Sequence, residues 1–476
     1  MSQVKTIFKN ISWLLISQII ASVCGFIWTV LTARYLGVNN YGIMGFAISL
    51  NGILAIFMDL GISVYIVREI ATDYDSAPYY IGNTIPLKLI LSFLVIALTL
   101  PCLIIFNYDE LTITVTLLFT IETIIKSFLG LFNGSFQAFE KLKYQGIGNT
   151  ILNTLLLIFI LLAIFTDIGI IGIAISYIIA NLIALIYEYY VLNKKITKPK
   201  FEFDMVFCKN IILASLPFAL GGILFIIYYS IDIVMLERIA GSYPTGIYNA
   251  TYKLISVLTL FNSVYTSVIF PVMSKFYKNN EKLLIIIFEK TVKYLLIIMI
   301  PLAIGTMIYS TDIIYLIYGQ EYDAASSVLS ILIWTVCLLF VNGAFNTLLQ
   351  SSHKEITTTK TYGIAATFNI VLNLIMIPRF SVNGAAITTV LSDILILIIF
   401  SYVAYKMGIR PNKELYYDLM KIIIGSLILG VILYVLNLNI WVAVILGIII
   451  YFIILILLKV FNDDDKYVIK EILNRN

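Results

Sequence analysis

Two stretches decide how this chain folds: Arg34-Tyr-Leu-Gly37-Val-Asn-Asn-Tyr-Gly42-Ile43 and Arg238-Ile-Ala-Gly241-Ser-Tyr-Pro-Thr-Gly246-Ile247. They share the pattern Arg-x2-Gly-x4-Gly-Ile, with every matched position 204 residues apart. Each is a short polar turn between two long apolar segments, which implies a chain built by duplication. The correspondence continues downstream. Asn149 and Asn153 match Asn369 and Asn373, and a Gly-x-Ala follows each pair, at Gly172 to Ala174 and Gly384 to Ala386.

Composition identifies the solvent around these repeats. Of 476 residues, 61% are hydrophobic and 12% charged, and the mean hydropathy is +1.00, the profile of a polytopic membrane protein. A helix needs about 20 apolar residues to cross the hydrocarbon core. On that length, spans are expected at 11–33, 41–67, 81–106, 112–136, 147–166 and 168–192, then at 210–236, 245–273, 294–316, 324–349, 361–378 and 382–405. A last hairpin, 422–438 and 440–458, completes fourteen. The expected fold is thus an all-α polytopic membrane protein with 14 transmembrane helices: two pseudo-symmetric six-helix lobes plus a C-terminal helical hairpin. The expected divisions are 1–200, 201–410 and 411–476. Six crossings are an even number, so both lobes have the same orientation, related by an axis along the membrane normal. That arrangement predicts a cavity between the lobes.

The distribution of basic residues supports the count, since a missed span would scramble it. With the N-terminus placed in the cytoplasm, 25 of the 31 Lys and Arg fall on inner segments. Three are on outer turns (Arg34, Arg238, Arg379) and three within spans (Lys88, Lys126, Lys253). The expected location is the plasma (cytoplasmic) membrane with both termini inside. The net charge of +4 is accounted for by orientation and anionic inner-leaflet lipid, so no nucleic-acid partner is implied. Residues 193–209 and 275–293 read as inner linkers, and 462–476 as a charged, helical cytoplasmic tail. The first apolar run shows no small-residue cleavage pattern and reads as a retained span.

Cys24, Cys102, Cys208 and Cys337 are scattered one per apolar segment, which implies neither a disulfide framework nor a zinc site. The single histidine, His353, lies in a polar turn beside Lys354 and Glu355. Histidine chemistry and a resident cofactor are therefore not expected.

Ionisable residues inside spans are default functional candidates, because burying them in lipid costs several kcal/mol unless a cavity or partner receives them. Lys253 is eight residues into its span, roughly 12 Å of helix, which favours a cavity-facing cation over a buried ion pair. Lys88 lies nearer an inner end, from which a lysine can snorkel to the surface. Glu122 and Lys126 are at i and i+4, the spacing of an internal pair. Asp232, Asn369, Asn373 and Thr389 sit at matching depths and offer carboxylate, amide and hydroxyl oxygens, the ligand set a hard cation prefers; hydrogen bonding between helices is the competing reading. Asp59 and Asp393 are weaker candidates, the former as part of an inner-end cap with Arg68 and Glu69.

The stretch from Ala33 to Met44, Asp59-Leu-Gly-Ile62, Arg68-Glu-Ile-Ala71, Gly246-Ile-Tyr-Asn-Ala-Thr-Tyr-Lys253 and Ile377-Pro-Arg-Phe380 resemble the polysaccharide flippases of the multidrug/oligosaccharidyl-lipid/polysaccharide exporter superfamily. The resemblance covers essentially the whole chain. It implies alternating access by two six-helix lobes, export of a polyprenyl-linked saccharide for surface polysaccharide biosynthesis, and frequently coupling to an ion. Lipid II flippases resemble the first span too, but carry an Arg-Asp pair where this chain has Trp28-Thr29. In that branch a cavity arginine binds pyrophosphate at the position of Lys253, so the resemblance implies a phosphate-facing role for Lys253. Its sodium site maps onto Asp232, Asn369, Asn373, the Ala385 carbonyl and Thr389, with Asn373 in place of an acidic ligand.

The expected function is a flippase that carries a polyprenyl-diphosphate oligosaccharide from the inner to the outer leaflet without covalent change. Lys253, Lys88, Arg34 and Arg238 are the substrate-binding candidates, and the two arginines double as headgroup anchors of their lobes. Na+ is the candidate coupling ion. Membrane lipids and glycan polymerase or ligase machinery are the expected partners of a monomer. An ion-coupled multidrug exporter of the same superfamily is the nearest alternative. A membrane-bound glycan ligase or polymerase is the alternative from another class, disfavoured because the outer turns are short and carry no histidine.

Overall fold

The computed structural model describes residues 3–461; the helical tail expected at 462–476 lies outside them. Every regular element described is a helix. The reason is the solvent: lipid cannot satisfy backbone N–H and C=O groups, so a membrane-crossing chain must pair them within each segment. The order is α1 (Gln3–Asp59), α2 (Ile62–Thr72), α3 (Ala77–Ile105), α4 (Glu110–Ala138), α5 (Leu142–Phe165), α6 (Gly169–Val191), α7 (Met205–Ala240) and α8 (Ser242–Asn279). There follow α9 (Glu281–Ile308), the short α10 (Ser310–Ile317), α11 (Ala325–Ser351), α12 (Glu355–Lys406), α13 (Lys413–Leu436) and α14 (Ile440–Leu457).

Among the described residues, nine of these helices are both long and apolar enough to cross a bilayer: α1, α3 to α6, and α11 to α14. Two of them, α1 and α12, run to 57 and 52 residues, more than twice the length of one crossing. Each is interrupted by a residue with non-helical backbone, Gly37 (φ 67°, ψ 175°) and Ser381 (φ 49°, ψ −131°). Exposed apolar side chains cover the outside of the helices, Val444, Ile445, Ile448 and Leu457 of α14 among them. Such a surface is stable against acyl chains and unstable in water.

Short polar connections terminate the helices. Asp109, Asp204, Asn280 and Asn439 each cap the helix that follows by accepting a backbone N–H, the ordinary N-cap chemistry of Asp and Asn. One expectation changes at Asn280. Residues 275–293 were expected to form an inner linker, but α8 continues to Asn279 and α9 begins at Glu281. The Asn280 side chain accepts from Leu283 N at 3.2 Å, so a single capping residue replaces the linker.

The chain divides into two compact units, 1–249 and 250–476. In the first, α1 packs on α4, α5 and α7, while α6 packs on α4 and α5. Its buried cluster includes Ile62, Ile66 and Ile70 of α2, Phe132 and Phe136 of α4, and Ile211 of α7. In the second, α9 packs on α11 and α13, α11 on α12, and α13 on α14. Ile300 and Ile304 of α9 meet Ile422, Leu429 and Leu433 of α13 and Leu455 of α14 there.

Candidate functional site

The two copies of the opening motif touch each other, and they do so reciprocally. A Cβ built on Gly42 would come closer than 3.0 Å to the carbonyl oxygen of Ser242, and one built on Gly246 would meet the carbonyl oxygen of Val38 in the same way. Val38 and Ser242 are themselves matched positions of the repeat, so the contact is reciprocal between the two copies. The third matched pair behaves alike, with the Asn249 side chain packed onto Gly45. Gly37 and Gly241 also correspond: φ is 67° and 91°, with ψ near 180° at both, a region essentially reserved to glycine. The motif is a backbone-on-backbone crossing, which only glycine permits. Arg34 and Arg238 are both exposed, and the Arg238 guanidinium lies 5.4 Å from the Phe106 ring centroid.

Lys253 lies on α8 in the second unit, half-buried, with its carbonyl accepting from Ser256 Oγ at 2.7 Å. Lys88, on α3 in the first unit, is fully buried and donates to Asp59 Oδ1 at 2.7 Å. Ser63 also donates to that carboxylate. The cap expected of Asp59 with Arg68 and Glu69 is therefore replaced by an ion pair to α3. The cause is the turn after α1, where Leu60 and Gly61 both adopt positive φ (47° and 77°). Arg68 and Glu69 pair with each other at 4.0 Å on the surface. Glu122 and Lys126 form the pair their spacing implies, at 2.6 Å, and Asn181 of α6 donates to the same Glu122 oxygen at 3.2 Å.

The candidate cation ligands fall in both units. In the first, Asp232 is buried and accepts from the Tyr248 hydroxyl at 2.9 Å. In the second, Asn369, Asn373, Ala385 and Thr389 are all buried on α12. Asn373 Nδ2 donates to Asn369 Oδ1 at 3.0 Å, and Thr389 Oγ1 donates to the Ala385 carbonyl at 3.0 Å. The two stretches of α12 meet closely where Gly384 lies against the Met376 carbonyl. Among the described residues no group of three or more His, Cys, Asp or Glu side chains could hold a metal. A cation held by these four residues would rely on amide, carbonyl and hydroxyl oxygens, a set that suits Na+ in type and includes no carboxylate. Asp393 is buried on the same helix, and its carbonyl accepts from Asn342 of α11 at 3.0 Å.

Three features escaped the sequence reading. Lys293, assigned there to a linker, is 2% exposed and binds Asp418 of α13 at 2.8 Å and the Val460 carbonyl at 2.7 Å, which ties the last hairpin to α9. Partners 125 residues apart leave no local signal. The second is the strap between α6 and α7: Lys200 lies across Gly82, and Asn83 accepts the Asp204 N–H at 2.8 Å. Outside the spans, the backbone N–H of Phe207 and then the Tyr79 hydroxyl hold the Asp204 carboxyl below the usual carboxylate range. The third is Glu188, treated below.

A helical chain with a repeated turn, charges buried between helices and apolar outer faces defines a polytopic membrane protein. Comparison narrows the class. The family model described as "Polysaccharide biosynthesis protein" matches residues 7–277, and that described as "MatE" matches residues 217–375. The chain belongs to the polysaccharide biosynthesis protein family. Among its relatives are the uncharacterized membrane protein MJ1068 of Methanocaldococcus jannaschii, 27% identical over 82% of each chain. The capsular polysaccharide biosynthesis protein CapF of Staphylococcus aureus is 24% identical over 83% of this chain and 98% of its own. In fold, the chain is similar to the lipid II flippase MurJ in an inward closed conformation, with a TM-score of 0.78, 16% identity, and coverage of 93% and 97%.

Proposed function

We propose that this protein is a flippase that translocates a polyprenyl-diphosphate-linked oligosaccharide from the inner to the outer leaflet of the cell membrane, for surface polysaccharide biosynthesis. The observation that carries this reading is membership in the polysaccharide biosynthesis family on a membrane-crossing fold like that of a lipid II flippase. The physical task fits a transporter that makes no covalent change. A diphosphate and its sugars cannot enter hydrocarbon unshielded, so the path must supply positive charge and hydrogen-bond donors while the lipid tail stays in the bilayer.

The topology proposed has fourteen crossings. Among the described residues nine helices meet the length and composition of a span, α1 and α12 each cross twice, and α7, α8 and α9, at 36, 38 and 28 residues, add three. Both termini are then cytoplasmic, and the chain works as a monomer by alternating access alongside glycan polymerase or ligase machinery. Lys253 is the proposed phosphate-facing charge. Lys88 ranks below it because Asp59 already neutralises it. Na+ is the proposed coupling ion, supported by the oxygen chemistry of Asn369, Asn373, Ala385 and Thr389 on α12, with Asp232 as the candidate carboxylate of the first unit.

The test is export of surface glycan in cells that depend on this protein. Lys253→Ala is expected to abolish export at normal protein level, and the wild type is expected to lose transport when Na+ is replaced by K+. Unimpaired export by Lys253→Ala would remove that assignment, and indifference to Na+ would remove the ion. The match of 217–375 to the MatE family favours a multidrug exporter as second reading; drug resistance conferred without glycan export would select it.

A further inference from the structure

Glu188 lies near the end of α6 with its side chain turned into the first unit, where it is 1% exposed. Beneath it is Gly148 of α5, at which any Cβ would collide with Glu188 Oε1. The Asn133 side chain of α4 faces the carboxyl group. Two atoms here remain unsatisfied: Glu188 Oε2 and Asn133 Oδ1 are both buried, and neither has a hydrogen-bond partner among the described residues. An amide oxygen is always an acceptor, and so is an ionised carboxylate oxygen. Two buried acceptors on one pair of side chains, with no donor for either, form an arrangement that folded proteins avoid. What is missing is a hydrogen.

Among the described residues, the nearby cations have other contacts. Lys194 donates to the Tyr190 hydroxyl at 3.2 Å. Lys195 lies 5.5 Å from the Tyr144 ring centroid, and its carbonyl accepts from Lys141 at 3.2 Å. On α4, Lys126 is paired with Glu122. On α5 and α6 the neighbouring titratable groups are the phenols of Tyr144 and Tyr187. On α1, the Cys24 thiol is the only titratable group between Asn10 and Ala33.

We propose that Glu188 and Asn133 form a proton-binding site at the junction of α4, α5 and α6. With the proton on Oε2, the acid and the amide can bond in both directions: Asn133 Nδ2 donates to Oε1, and Oε2–H donates to Oδ1. The chemical consequence is a conformational one. Loss of the proton leaves a carboxylate enclosed by three helices with no cation, a state that is relieved only when the helices part and admit water. The site thereby links proton binding to the packing of the first unit, independently of which substrate the protein carries.

The test uses the purified full-length chain and needs no substrate. The Glu188→Gln variant reproduces the protonated form, because its amide can give and accept the same two bonds. Between about pH 6 and about pH 9 the wild type is expected to lose on the order of 3 °C in melting temperature relative to Glu188→Gln. Infrared spectra of the wild type are expected to show a protonated-carboxyl band at neutral pH that disappears at the alkaline end and is absent from Glu188→Gln. Parallel melting profiles with no such band would overturn the proposal, as would a Glu188→Gln protein that fails to fold. Restoration of the alkaline wild type by Na+ or K+ would overturn it in favour of a metal cation.

Discussion

Lys88 and Asp59 form an ion pair whose two ends differ in solvent access: the lysine side chain is 0% exposed and the aspartate 35%. Removing one partner of a buried pair is costly because it leaves the other charge without compensation, and here the cost depends on which is left. Asp59→Asn strands an ammonium group inside the protein and is expected to destabilise by about 3 kcal/mol. Lys88→Met leaves a carboxylate that water can reach, and should cost clearly less in the same thermal melts; equal losses would contradict this. Asp204 yields a pH prediction of defined sign. Its folded-state acidity is enhanced by the Phe207 N–H and the Tyr79 hydroxyl. The stability it contributes is therefore present above the ordinary aspartate range and is lost as pH falls through the depressed folded value. Asp204→Asn should flatten the acid limb of the melting-temperature profile below about pH 4, and an unchanged limb would show that the strap does not depend on that carboxylate. Of these residues, sequence placed Lys88 and Asp59 in spans as candidates but could not pair them, because residues 29 positions apart on separate helices share no periodic signature.

At the scale of helices, the repeated turn couples two different glycine requirements. Gly42 and Gly246 permit close approach, whereas Gly37 and Gly241 permit a backbone conformation. Alanine at Gly42 or Gly246 must push a carbonyl away and is expected to cost about 1–3 kcal/mol, by similar amounts at the two positions because the contact is reciprocal. Gly241→Ala meets nothing within 4 Å, so its penalty, also about 1–3 kcal/mol, arises from φ alone. The two mechanisms separate in a double variant. Gly42→Ala and Gly246→Ala act on one crossing and should combine less than additively, while Gly42→Ala and Gly241→Ala should add. Full additivity in the first pair would show that the crossing is not shared. The motif and its spacing were legible in the chain, since glycine at matched positions is a local signal. That the copies meet was not, because a repeat spacing carries no distance.

For the whole molecule, the proposed fourteen-crossing topology makes an accessible prediction. Asn39, Tyr243 and His353 are all exposed, and the topology puts the first two outside and the third inside. In a chain lacking its four cysteines, Asn39→Cys and Tyr243→Cys should react in intact cells with a membrane-impermeant maleimide, and His353→Cys only after permeabilisation. Labelling of His353→Cys from outside would invert or break the assignment. The last hairpin shows a different limit of sequence reading. Its helices α13 and α14 were visible as apolar runs, but its attachment to α9 through Lys293, Asp418 and the Val460 carbonyl was not.

By itself the sequence determined the solvent, the helical class, the repeated motif and most helix boundaries. Apolar run length, Gly and Asn turn chemistry and the repeat are properties of consecutive residues, and each acts on its own segment. Only the tertiary structure decided which charges neutralise each other, that the twin turns cross on their glycines, and that Glu188 and Asn133 share unsatisfied acceptors. Inside a bilayer the hydrophobic effect does not choose between apolar helix faces. The choice falls to close packing and buried polar contacts, which join residues that the chain holds far apart.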